Sequence, residues 1–246
     1  MVGVATVPAD VDYPHGPRMG STYAFPRPAL AVDCVVFGLG EGALEVLIVE
    51  RALDPGGWAL PGGFVRVGES VDAAARRELA EEAGVQPGYL EQLHTFGEVD
   101  RDPRERVVSV AYFGLVRRDR HLPHAATDAR AARWSEVATV PPLAFDHARI
   151  LEVALERLRG KVTWQPVGFD LLPDTFTLTE LQNLYEVVLG RPIDKRNFRK
   201  KVLAMELLED TRAQTVGGRH RPARLYRFDR NAYERLSRDG FAFRLG

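Results

Sequence analysis

The chain has 246 residues, 45% of them hydrophobic and 27% charged, as expected of a globular protein with one large domain or two small ones. It has no run of the ~18 apolar residues that a membrane-spanning helix needs. A single cysteine, Cys34, excludes an internal disulfide or a cysteine-based zinc site. The net charge of −1 conceals a split. Residues 1–160 carry 17 Lys and Arg against 23 Asp and Glu, whereas residues 161–246 carry 16 against 11. An acidic front and a basic back read as two units with different partners.

Residues 1–26 are rich in Pro, Gly and small residues, lack periodicity and read as a flexible arm. Met19 is an alternative start. The first twenty residues have no apolar h-region and contain Asp10 and Asp12, so a cytoplasmic location is expected rather than secretion. Strands are predicted at Ala29–Phe37, Leu44–Val49, Leu60–Val67, Val107–Val116 and Arg133–Val137. Val71–Ala83 reads as a helix with Ser70 as N-cap and Gly84 as its left-handed stop. The spacing of Ile150, Val153, Ala154 and Leu158 predicts a second helix over Asp146–Arg159. Strands mixed with two helices give an α/β unit over 27–160. The remainder, 161–246, reads differently. Thr177 and Glu180 form a capping box before the apolar stripe Leu178, Leu181, Tyr185, Val188, and Gly190 ends that helix. Asp194 caps a short helix over Lys195–Leu203. Two arms around Gly217 and Gly218 then read as a hairpin, giving the order of a winged helix-turn-helix.

The sharpest chemical pattern lies in residues 62–85. At about 100° per residue, Glu78, Glu81 and Glu82 fall within an arc of about 100° on one helix. Carboxylates crowded in this way repel one another unless something positive sits among them, and as hard oxygen donors they suit Mg²⁺ or Mn²⁺. Gly62 and Gly63 allow close backbone approach, so a main-chain carbonyl can join the set. Arg77 and Glu69 can pair to fix the loop against the helix. A second pattern lies in residues 191–205. Lys195, Arg196, Arg199 and Lys200 share one face of the second helix with Asn197 nearby, and Phe198, Val202 and Met205 occupy the other. A basic face there is where major-groove contacts belong, with Arg219, His220, Arg221 and Arg224 on the wing available to phosphates.

Gly63, then Glu69 after five residues, then after seven more Arg77-Glu78-Leu79-x-Glu81-Glu82-x-Gly84-Val85, resembles the Nudix box at every defined position. The resemblance implies a Nudix fold, a mixed sheet sandwiched by helices. It also implies a Mg²⁺-dependent (or Mn²⁺-dependent) pyrophosphohydrolase for a nucleoside diphosphate linked to another group. Glu78, Glu82 and the Gly63 carbonyl would hold the metal. Glu81 would stand beside them as ligand or water-orienting group, and Arg77 would hold Glu69 and orient a glutamate. The general base is open among the box and Glu98, Asp100, Asp102 and Glu105. Residues 176–201, with LAFDHARIL upstream, resemble the Nudix-related transcriptional regulators of NAD metabolism. That resemblance implies an ADP-ribose-type ligand, a double-stranded DNA operator and a homodimer, with no membrane partner. A complete box leaves hydrolysis open, and the competing reading is a metabolic hydrolase whose winged domain does not bind DNA. Arg51 and Phe64 are the candidates for ligand contact, although Phe64 and Trp58 read first as core. Asp146-His147 reads first as a helix cap, with a position facing the nucleotide as the alternative, Cys34 reads as core, and His121 with His124 as surface loop.

Overall fold

The computed structural model describes residues 26–51, 56–121, 129–216 and 222–245. The strands are β1 (Ala29–Leu39), β2 (Leu44–Arg51), β3 (Gly57–Ala59), β4 (Gly62–Phe64), β5 (Tyr89–Phe96), β6 (Val107–Leu115), β7 (Ala129–Glu136), β8 (Leu208–Gln214) and β9 (Arg224–Phe228). The helices are α1 (Val71–Ala83), α2 (His147–Trp164), α3 (Leu178–Leu189), α4 (Lys195–Ala204) and α5 (Arg230–Arg238).

β1 organises the first unit. It pairs in parallel with β6 along one edge, and its other edge is shared by β4 at residues 31–33 and β2 at residues 37–39. β5 lies outside β6, and β3 and β7 pair with β2. Successive side chains of a strand face opposite sides. Val32, Cys34 and Val36 therefore meet Ala74, Ala75, Leu79 and Ala83 of α1, while Val35 and Phe37 meet Ile150, Leu151 and Ala154 of α2. A strand covered on both faces is apolar almost throughout, which is why β1 is so legible. Cys34 is buried, as expected.

Within the expected strand Leu60–Val67 only the short β4 forms, with β3 ending just before it at Ala59. Pro61 lacks the N–H that a continuous ladder needs, and its carbonyl accepts the Cys34 N–H. β5 and α5 were not expected. β5 is an edge strand of mixed exposure, and α5 buries only Ala232. α2 continues through Gly160 to Trp164, because burial of Leu158 and Val162 outweighs the roughly 1 kcal/mol that a mid-helix glycine costs. The boundary expected at residue 160 thus falls inside one continuous helix.

The second unit follows without a loose linker. A 3₁₀ turn, Pro166–Leu171, buries Val167, Phe169 and Leu171. α3 has the full capping box, Glu180 N–H to Thr177 Oγ1 at 3.1 Å and Thr177 N–H to Glu180 Oε2 at 2.6 Å. Asp194 caps α4 by accepting the Asn197 N–H at 2.7 Å. β8 and β9 form the antiparallel wing, with Phe228 stacked on Phe169 at 4.3 Å. The apolar core runs unbroken from β1 through α2 to Leu181, Tyr185, Val188, Phe198 and Val202 of α3 and α4. One core predicts one cooperative transition. In urea, intrinsic fluorescence and circular dichroism should give coincident midpoints, and Leu158→Ala should lower the stability of both units together by about 2–5 kcal/mol.

Candidate functional site

α1 presents its charged face to β4. Ser70 Oγ accepts the Ala73 N–H at 3.1 Å, and Gly84 closes the helix at φ 66°. Buried Ala74, Ala75 and Leu79 fix the rotation of the helix and bring Glu78 to the edge of the core, 9% exposed. The positive group that the crowded carboxylates require is Arg77. Its Nη2 donates to Glu69 Oε1 at 2.7 Å and to the Phe64 carbonyl at 3.1 Å. Its Nη1 reaches Glu78 Oε1 at 2.6 Å and Glu81 Oε2 at 3.0 Å. The hydrogen bond to Glu69 leads in holding the arginine above its usual pKa range, and it holds Glu69 below the usual carboxylate range. Burial pushes the Glu78 carboxyl up, against the pull of Arg77.

The three glutamates do not converge as the helical arc implied. Glu81 is drawn aside to Arg77 and to Arg66, the latter at 3.3 Å. Glu82 turns the other way and accepts the Gly62 N–H at 2.9 Å. Among the described residues, no three acidic, histidine or cysteine side chains form a ready metal-ligand cluster. Glu78 and Glu82, one turn apart, nonetheless face the strand that carries Gly62 and Gly63. A Cβ at Gly63 would lie 2.4 Å from Glu78 Oε1, so only glycine leaves that carboxylate its place. Two hard carboxylates against an open backbone, in a cluster of four acids and two arginines, fit a divalent cation in donor chemistry.

Beside this cluster lies a cavity of about 170 Å³, where the edge of β1 passes from β4 to β2. Arg51, Phe64, Gly63 and Glu82 line it. Phe64 is 44% exposed, so its reading as core is corrected; β4 is too short and too near the surface to bury it. Trp58 is half-buried, with the Arg133 guanidinium 4.2 Å above its ring. Of the acidic loop, only Asp102 lines the cavity. Arg104 Nε and Nη2 both donate to it, at 3.0 and 2.7 Å, and this pairing leads in lowering its pKa.

Sequence reasoning missed a buried network in the cavity wall, where Asp33, Arg101 and His147 line it. Asp33, in the middle of β1, accepts from Ser109 Oγ at 2.6 Å and from Arg101 Nη2 at 2.9 Å, with His147 Nε2 at 3.2 Å. Burial works to raise its pKa, but these partners hold it well below the usual range. His147 Nδ1 accepts the Leu60 N–H at 2.9 Å. Asp146 occupies the N-cap position of α2 but makes no capping bond. Its carboxylate instead binds Arg101, Oδ1 to Nη2 at 2.7 Å and Oδ2 to Nε at 3.0 Å, because the buried guanidinium needs the charge. Period-2 alternation in β1 places Asp33 on the α2 side, the one sequence signal that could have flagged it.

On α4, Lys195, Arg196, Asn197 and Lys200 are exposed, while Phe198 and Val202 are buried. Arg199 is half-buried, and its Nη2 donates to Thr179 Oγ1 at 2.8 Å, tying α4 to the start of α3. Arg224 is exposed and pairs with Asp210 at 3.0 Å across the wing. Arg219, His220 and Arg221 lie outside the described residues, as does His124. Gly63→Ala should displace the Glu78 carboxylate. It should cost about 1–3 kcal/mol by thermal or urea unfolding and weaken Mn²⁺ binding in a calorimetric titration.

Residues 27–154 match the model of the NUDIX domain, and residues 168–228 match that of the NrtR DNA-binding winged helix domain. The chain is 37% identical over 222 residues to the ADPR responsive transcriptional repressor NtrR of Acinetobacter baylyi, covering 85% of this chain and 86% of that protein. It is 38% identical over 133 residues to the ADP-ribose pyrophosphatase of Methanocaldococcus jannaschii, covering 51% of this chain and 72% of that protein. The crystal structure of Shewanella oneidensis NrtR complexed with a 27mer DNA superposes with a TM-score of 0.73 at 36% identity, covering 87% of this chain and 97% of that one. The chain therefore belongs to the Nudix family, within the group that joins a NUDIX domain to an NrtR-type winged helix.

Proposed function

We propose that this protein is a nucleotide-responsive DNA-binding regulator. In this reading the cavity beside α1 takes ADP-ribose or a related nucleoside diphosphate, and the exposed face of α4 takes double-stranded DNA. The observation that carries it is the open basic face of Lys195, Arg196 and Lys200 on a winged helix that shares one apolar core with a complete Nudix box. The likeness to an ADPR responsive repressor and to a DNA-bound NrtR supports both halves. Like charges on one helix face repel and add nothing to packing, so their role is toward an anionic partner. A two-fold homodimer follows from the way helix-turn-helix proteins read paired half-sites. Such a regulator works beside the DNA in the cytoplasm. No described helix is long and apolar enough to cross a membrane.

The complete box supports retained pyrophosphohydrolase activity. Glu78, Glu82 and the Gly63 carbonyl would hold Mg²⁺ (or Mn²⁺), which when bound neutralises diphosphate charge and activates water. Arg77 keeps Glu69, Glu78 and Glu81 in register and fastens them to β4 through the Phe64 carbonyl. Arg51 and Phe64 line the cavity where the nucleotide would enter, and the likeness to an ADP-ribose pyrophosphatase supports that substrate class.

Two experiments test this reading. Fluorescence anisotropy on duplexes from upstream of the protein's own gene should show binding that weakens with salt. The double variant Arg196→Ala, Lys200→Ala should weaken it at least tenfold and reduce the log–log salt slope by about 2, with ADP-ribose binding unchanged. An unaltered slope and affinity would point instead to a hydrolase with an accessory domain. Hydrolysis of ADP-ribose with Mg²⁺ to AMP and ribose 5-phosphate, read by phosphate release from an added phosphatase, should be present in the wild type. In Glu82→Gln it should fall by two orders of magnitude or more while DNA binding persists.

A further inference from the structure

We infer that α2 carries the occupancy of the nucleotide cavity to the winged helix, through the turn Phe145–Asp146–His147 at its start. The inference rests on the reading of that cavity as a nucleotide site.

All three residues of the turn are bound to cavity-lining groups. Phe145 has φ 56°, a left-handed backbone that an aromatic residue seldom adopts. Its ring lies beneath two guanidiniums, with Arg51 Cζ at 4.7 Å and Arg104 Cζ at 5.3 Å from the centroid. Both arginines and the ring line the cavity. A diphosphate in the cavity would compete with the ring for these same cations, so its binding would draw on the contacts that hold the turn. Asp146 is held by Arg101, and His147 by Leu60 and Asp33. The start of α2 is thus fastened to β1, to the segment between β3 and β4, and to the 97–106 loop.

The other end of the same helix belongs to the winged unit. Arg159 Nε donates to the Val188 carbonyl at 3.1 Å, in the last turn of α3 before Gly190 ends it. Leu158 and Val162 share a core with Leu181, Leu184 and Val188, and the Leu245 N–H returns to the Thr163 carbonyl at 3.0 Å. α2 has 18 residues, about 27 Å of continuous helix. It has no proline, and its one glycine, Gly160, lies between the buried Leu158 and Val162 that hold the helix to the core. α3 in turn positions α4 through the Arg199–Thr179 bond and the Tyr185–Phe198 ring contact. A change in the arginines over Phe145 therefore reaches the basic face without crossing a flexible joint. Asp146 and Arg159 are positioning residues in this device; neither lines the cavity.

The test uses the full chain and three measurements: ADP-ribose binding by calorimetry, and the affinity for an upstream duplex by anisotropy with and without saturating ADP-ribose. The ratio of the two DNA Kd values is the coupling factor, for which 5–150-fold is the usual range. The wild type should fall in that range. Asp146→Asn removes one of the charged partners of Arg101, and Arg159→Gln removes the donor to Val188. Either should bring the ratio to within about twofold of one, with ADP-ribose still bound and DNA still bound in its absence. A collapse in either variant supports the inference. Wild-type ratios in both overturn it, and if Asp146→Asn fails to fold, Arg159→Gln decides alone. A wild type that binds both ligands with a ratio of one overturns the inference together with the nucleotide-responsive part of the reading, whereas wild-type ratios in both variants overturn the inference alone. A wild type that binds neither overturns the reading and the inference with it.

Discussion

The shared apolar core around α2 is the constraint on which the other features rest. Two domains joined by a free linker would each need a core of their own, and the winged unit is small enough for that to be marginal. Here Ile150, Leu151 and Ala154 complete the sheet, and Leu158 and Val162 complete the helix-turn-helix. The buried 3₁₀ turn that follows leaves no slack between them. The orientation of α4 relative to the cavity is therefore set by packing, and packed cores respond by switching between arrangements rather than by gradual deformation.

Two arginines solve the same electrostatic problem in different places. Arg77 sits among Glu69, Glu78 and Glu81 near the surface, and Arg101 sits between Asp33 and Asp146 in the interior. In each case a planar guanidinium serves several carboxylates at once, which the ammonium of lysine does poorly. The interior network is not a source of stability in itself, since desolvating Asp33 and Arg101 offsets much of their attraction. Its effect is to fix three segments that are distant in sequence around one cavity wall.

That distance explains what could be read from the sequence. α1 was legible because its signals are local: Ser70, Gly84 and the charged spacing all fall within sixteen residues. The capping box of α3 and the Asp194 cap of α4 were legible for the same reason. Asp33 was not, because Arg101 and Ser109 lie 68 and 76 residues away and nothing within β1 announces them. The capping role expected of Asp146 failed for a related reason, since a local rule was outweighed by a buried long-range charge. β5 escaped notice because an edge strand alternates weakly, and Phe64 was misassigned to the core because Pro61 cuts its strand short.

The same distinction between local and long-range signals separates the two halves of the site. The box is a helix-and-loop device built from local signals, and in the proposed reading it serves metal and diphosphate. Discrimination among nucleotides has to come from groups that the fold gathers from elsewhere: Arg51 from β2, Arg104 from the 97–106 loop, Phe145 from the approach to α2. These are also the groups nearest to the start of the helix that reaches the DNA-facing unit. Recognition and signalling thus draw on one set of side chains, so substitutions among them that retune ligand choice should alter the effect of the ligand on DNA binding as well.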